Sequence, residues 1–273
     1  LYPEGISFGE LVSAGLQLER DGKAEDAQAT WAITLERYPD EPNGYSQSGW
    51  FFRRARRFAE ADAVLAQAAA KFPDDLEVLL DWAWVAGEGG DWATAATRFR
   101  EISAAHDEPR ALEGLAEALF SQRAYREADA MLSAATRRYP QDLGIARAYA
   151  ACASQEDRKL DALQRWRSVH RRFPEDLSSV AGLARALTDT GDFEDARALL
   201  SDFIARHPAE RALLEAQANL ATISEDWPAA ISGWRQLATA YPEDIRLRDN
   251  QAAAEQAARL AGLSPLTSAP PAA

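Results

Sequence analysis

The chain has 273 residues, of which 43 are acidic and 30 basic, for a net charge of −13. That balance argues against nucleic acid and against anionic lipid as partners, since both call for a basic footprint. No apolar run reaches the roughly 18 residues of a membrane span, and the single Cys152 excludes an internal disulfide.

Apolar residues make up 47% of the chain, enough for a substantial core. The first residue is Leu1 rather than Met, which leaves room for a removed leader. Residues 1–7 read as a short N-terminal leader segment ahead of the first periodic element. From Phe8 onward the chain repeats. An aromatic residue or His followed by Pro recurs at Tyr38-Pro39, Phe72-Pro73, Tyr139-Pro140, Phe173-Pro174, His207-Pro208 and Tyr241-Pro242. His106 stands where a seventh such junction is due, with its proline displaced to Pro109. The period is close to 34 residues. Seven units follow across residues 8–242, starting at Phe8, Pro42, Leu76, Pro109, Leu143, Leu177 and Arg211.

Each unit is expected to hold a helix, a short turn and a second helix. The eighth position reads Gly15, Gly49, Ala83, Ala116, Ala150, Ala184 and Ala218. The twentieth reads Ala27, Ala61, Ala95, Ala128, Ala162, Ala196 and Ala230. Small side chains at both places let two helix backbones approach closely. The junction proline ends the second helix because it cannot continue the hydrogen-bond ladder. Asp75, Asp142, Asp176 and Asp244 stand just before the next helix, placed to cap its free N–H groups. Gly90-Asp91 and Gly191-Asp192 mark turns inside units. The twenty-fourth position alternates, with Trp31, Phe99, Trp166 and Trp234 in odd units and Leu65, Leu132 and Leu200 in even ones. That alternation indicates a duplicated pair of units. Residues 243–263 predict a polar closing helix, from Ile245 to Gly262, of the kind that caps a stack. Residues 264–273, with Pro265, Pro270 and Pro271, read as a disordered tail or linker.

The junction prolines together with the small residues at positions 8 and 20 resemble the tetratricopeptide-repeat family, in its bacterial form, over residues 8–242. The resemblance implies an all-α fold, an α-α superhelix in which stacked helix pairs make a solenoid. The localisation is left unknown by the sequence; a soluble protein of the bacterial cytoplasm or periplasm is the expectation.

The chain carries no phosphate-binding glycine loop, no Cys-rich metal pattern and no serine-hydrolase elbow. No catalytic residue, cofactor or metal is expected. His106 and His207 take the slot that is Tyr or Phe in five other units and read as junction packing. His170 stands late in a second helix beside Arg171 and Arg172, with no partner that would make a catalytic constellation. Asp74 and Asp75 read as caps, and Cys152 as an ordinary helical residue. The run Arg53, Arg54, Arg56 and Arg57 reads as a solvated helix end.

Positions 4, 7, 8 and 11 of a first helix share one stripe at about 100° per residue, and position 9 points roughly 150° away from it. Position 9 reads Leu16, Trp50, Trp84, Glu117, Ala151, Arg185 and Asn219, and position 6 includes Gln47 and Asp81. The tetratricopeptide resemblance implies that this face lines a concave groove. Its first half offers a Leu16–Trp50–Trp84 ladder edged by Asp81 and Glu88. Its second half is expected to have a floor of small residues, among them Gly114 and Gly182, with Arg147 and Arg185 above. Structural filler is the competing reading of the two tryptophans. Members of the family that clamp chaperone C-termini use Lys and Asn on first-helix positions; here those positions are Val12 and Leu16, so that ligand is not expected.

The leading expectation is a non-catalytic scaffold that binds a protein or peptide segment, with an apolar stretch, in the groove. The alternative, from a looser resemblance, is the substrate-recruiting repeat region of a bacterial glycosyltransferase or surface-polysaccharide assembly protein. Self-association of the array is the third option.

Overall fold

The computed structural model describes residues 2–262, and within them every regular element is an α-helix. The helices fall into two compact units, the first ending at Ile145 and the second beginning at Ala146. The first unit holds four helix pairs: α1 (Phe8–Arg20) with α2 (Ala24–Arg37), α3 (Pro42–Arg54) with α4 (Phe58–Lys71), α5 (Leu76–Glu88) with α6 (Trp92–Ala105), and α7 (Pro109–Ser121) with α8 (Tyr125–Arg138). Helix α9 (Leu143–Gln155) starts at the end of the first unit and runs into the second. The second unit continues with α10 (Lys159–Arg172), α11 (Leu177–Thr190), α12 (Phe193–Arg206), α13 (Arg211–Ile223), α14 (Trp227–Ala240) and α15 (Ile245–Leu260). None of the described helices is long and apolar enough to cross a membrane.

Local chemistry explains the helix starts. Ser7 and Glu10 form a capping box at α1, each satisfying the other's free N–H. Asp75 accepts from Val78 N–H at 3.1 Å, Asp142 from Ile145 at 2.8 Å and Asp176 from Ser179 at 2.8 Å. Pro42 and Pro109 open α3 and α7, where a missing N–H costs nothing. Residues 2–6, ahead of the first helix, are tied to α2: Tyr2 Oη bonds Thr30 Oγ1 at 2.9 Å, and Arg37 Nη1 donates to the Pro3 carbonyl at 2.7 Å.

The turn between the two helices of a pair always carries one residue of left-handed backbone. It is Gly22, Arg56, Gly90, Arg123, Asp157, Gly191 and Glu225 along the chain, with φ between 55° and 94°. This is the fifteenth position of each unit. Glycine takes that conformation freely; the other four residues take it at a cost.

Packing depends on the large side chains at position 24 and the small ones facing them. Trp31, Phe99, Trp166 and Trp234 are buried, as are Leu65, Leu132 and Leu200. The ring of Trp31 lies so close to Gly15 that a Cβ there would stand 2.7 Å from it. Leu65 presses on Gly49 in the same way, at 2.9 Å. Phe99 lies against Gly114 and Trp166 against Gly182, both on the first helix of the following pair. These two glycines are therefore seats for aromatic rings, which corrects the expectation that they floor a groove.

Helix α15 buries Leu247, Ala254 and Ala258 with α14 and exposes Asp249, Gln256 and Arg259. It ends at Leu260, two residues short of the expected end, and Gly262 after it takes positive φ. The proline-rich tail expected over 264–273 lies outside the described residues.

Candidate functional site

Helix α3 buries Tyr45, Ser48, Gly49, Phe51 and Phe52, and this leaves Trp50 on the opposite face. Trp50 is 40% exposed, the most exposed aromatic ring among the described large hydrophobic residues. Its position is nonetheless set. The indole Nε1 donates to Asp81 Oδ1 on α5 at 2.9 Å. Arg53, one turn along α3, donates from Nη1 to the same oxygen at 3.2 Å. The other edge of the guanidinium grips Glu88 at the end of α5, with Nε to Oε2 at 2.8 Å and Nη2 to Oε1 at 2.5 Å. Next to it Arg54 is paired with Glu19 of α1. Trp50, Arg53, Arg54, Asp81 and Glu88 line an open depression of about 480 Å³.

Burial dominates the electrostatics of this cluster. The Asp81 side chain is only 15% exposed. Loss of water holds its carboxyl above the ordinary Asp value, while the Trp50 N–H, Arg53 and Ser46 pull it back. The Glu88 carboxylate holds the Arg53 guanidinium above its usual value, so that side chain stays charged. The result is an aromatic plate locked beside a planar cation and two carboxylates. Such a surface is pre-organised: a ligand that lands on it does not have to order it first.

The other residues expected on this face differ in their surroundings. Leu16 is half-buried and packs on the cluster around Trp31 and Phe52. Trp84 is half-buried as well, and its ring meets Phe99 edge-on with centroids 5.0 Å apart. Its indole therefore has an internal partner. Gln47 is half-buried and bonds Asn43 at 3.4 Å; Glu117 on α7 is exposed. In the second unit, Arg147 lies 3.5 Å from the capping carboxylate of Asp176, Arg185 is exposed and Asn219 is half-buried. The structure thus joins Trp50, Asp81 and Glu88 into one cluster and leaves the remaining positions outside it.

The sequence reading missed the role of Arg53. Of the run Arg53, Arg54, Arg56 and Arg57, Arg54 and Arg56 are exposed as at a solvated helix end, but Arg53, Arg54 and Arg57 are each also paired with a carboxylate, from Asp81 and Glu88, from Glu19 and from Glu60. The available signal was the period itself, which sets Arg53 and the acidic pair on neighbouring first helices. Cys152 is buried in α9. No group of three or more His, Cys, Asp or Glu side chains suited to a metal ion occurs among the described residues.

Comparison with known proteins agrees with this architecture. Two tetratricopeptide-repeat models match the chain, one over residues 80–142 and one over 155–220, so that each unit contains a match. No curated protein matches it by sequence. Among solved structures, a tetratricopeptide repeat protein from Parabacteroides merdae is 13% identical, with 90% of this chain and 98% of that one covered and a TM-score of 0.70. PilW, a type IV pilus biogenesis factor, is 15% identical over 76% of this chain and 96% of its own, with a TM-score of 0.57. The Cut9–Hcn1 hetero-tetramer of the APC/C is 13% identical over 93% of this chain and 49% of its own, with a TM-score of 0.62. At such identities the likeness concerns the fold. Two family matches, an all-helical structure and a near-34-residue period make the chain a tetratricopeptide-repeat protein.

Proposed function

We propose that the chain is a protein-binding scaffold, and that the Trp50 face of the first unit is where a partner segment docks. The tetratricopeptide family supports the general role, and the Cut9–Hcn1 assembly is a related fold that works inside a protein complex. The observation that carries the specific reading is Trp50. A large ring left in water costs hydrophobic free energy, and here it is also held in one orientation by Asp81. Exposed, oriented tryptophans are frequent hot spots of interfaces. An apolar side chain of the partner would lie on the indole face, with Arg53, Glu88 and Arg54 offering polar contacts around the rim.

The test separates binding from folding. Trp50→Ala should weaken the complex with a recovered partner by about 2 kcal/mol or more, while the melting temperature changes little. Trp50→Phe keeps the ring and loses the bond to Asp81, so it should bind with intermediate strength. Normal binding by Trp50→Ala would remove this face from consideration.

A further inference from the structure

The second unit carries a surface of the opposite character. Helix α10 holds Lys159, Arg165, Arg167, Arg171 and Arg172 against a single Asp161, in a chain whose net charge is −13. Two of the five have work inside the protein. Arg165 stacks on Tyr149 with 3.6 Å between guanidinium and ring, and it also grips Asp161. Arg172 lies 5.2 Å over the ring of Phe173. Arg167 and Arg171 are different. The nearest ion-pair carboxylate to Arg167 is Asp192, at 4.0 Å, and both side chains are exposed. Among the described residues Arg171 has no carboxylate within ion-pair reach.

These two arginines share a face, one turn apart, and with Gln164, His170 and Leu183 of α11 they line an open depression of about 480 Å³. His170 adds a separate observation. Its Nδ1 is buried without a hydrogen-bond partner, while the ring meets Phe203 edge-on at 6.1 Å. Buried polar atoms are almost always satisfied, and this one stands at the wall of the depression. A helix C-terminus favours cations in its last turn. That accounts for Arg171 and Arg172 but not for Arg167, which stands one turn upstream.

The geometry points to a second docking surface here, one that takes an acidic peptide segment through its carboxylates. Guanidinium forks pair with carboxylates in two parallel hydrogen bonds, and Arg167 and Arg171 offer two such forks along one helix face. The Gln164 amide supplies a further hydrogen-bonding group, and Leu183 a small apolar wall. The depression is open and runs along the helix, a shape suited to consecutive side chains of an extended segment rather than to a single compact anion. Charge complementarity selects the partner: on a chain of net charge −13, this strip sets two exposed arginines one turn apart with a single carboxylate, Asp192, at 4.0 Å from one of them.

Hexaglutamate is a suitable probe, followed by calorimetry or fluorescence anisotropy on the full chain. We expect saturable binding that Arg167→Glu and Arg171→Glu each weaken by about ten-fold or more, the loss of a charge-assisted contact. Arg137→Glu, a reversal at an exposed arginine of α8, should leave it unchanged. Inorganic phosphate should displace the peptide only at far higher concentration. Circular dichroism confirms that the variants are folded; should a reversal unfold the chain, Arg167→Gln and Arg171→Gln take its place with the same expected direction. Absence of saturable binding, or equal weakening by Arg137→Glu, would overturn the proposal. Displacement by phosphate at comparable concentration would overturn it in favour of a phosphate site.

Discussion

The indole N–H of Trp234 donates to Thr222 Oγ1 at 2.9 Å, a bond between residues 12 apart that closes one helix pair. Trp166 makes the same bond to Ser154 at 3.1 Å, and Trp31 to Glu19 at 2.9 Å. Each acceptor is the twelfth residue of its unit. In the pair that carries Phe99 instead, that place is Gly87, and no acceptor is needed. Thr222→Val keeps the shape and removes the acceptor. It should cost about 1–3 kcal/mol in urea unfolding, the penalty of a buried N–H left unpaired. In a Trp234→Phe background the same change should cost clearly less.

The left-handed turn residues give a prediction of opposite sign. Arg123 holds φ at 57° and its side chain is exposed, so Arg123→Gly should raise stability, by up to about 1 kcal/mol. Gly90 holds φ at 94° with open space around it, so Gly90→Val should lower stability by about 1–2 kcal/mol from backbone strain alone. Thermal melts of the two variants should move in opposite directions.

Close packing sets a third expectation. Ala128 is fully buried in α8, and Ala128→Leu should cost about 1–3 kcal/mol through overpacking. Gly114→Ala is a finer probe, because the new methyl would collide with the ring of Phe99. Pairing it with Phe99→Leu should recover part of the loss.

The end of the second unit should be sensitive to acid. Asp244 caps α15 and pairs with Arg246 and Arg211, and these bonds hold its carboxyl down from 3.8 to about 2. A carboxyl lowered in the folded state adds stability above its unfolded value and loses it as pH falls through the folded one. The contribution of Asp244 should therefore be complete above pH 3.8 and vanish towards pH 2. Asp244→Asn should melt earlier at neutral pH and show a flatter decline across that window. Added salt should shrink the difference, since the pairs lie at the surface.

Helix starts and the pairing of helices were legible because proline, aspartate and small residues act locally and recur with the period. Asp75 and Asp176 cap helices for the same reason that they mark them in the sequence. The left-handed turn was only partly legible: Gly90 and Gly191 announce it, whereas Arg56, Arg123, Asp157 and Glu225 carry the same conformation without a glycine to signal it. The candidate site was legible in its residue types and not in its bonding. Periodicity puts Trp50 and Trp84 at one position, but only the direction of each side chain decides that one ring meets Asp81 and the other Phe99. Gly114 and Gly182 were misread because a small residue looks the same whether it opens a groove or seats a neighbour's ring.

The alternation of aromatic and leucine at position 24 bears on how such a chain can change its length. Copying or losing one helix pair would bring two like side chains to successive interfaces, and the seat shaped for one would receive the other. Copying or losing two pairs together leaves every seat with its proper occupant. Recombination in this lineage should therefore proceed in doublets, and shortened versions made for the laboratory should be cut at every second junction.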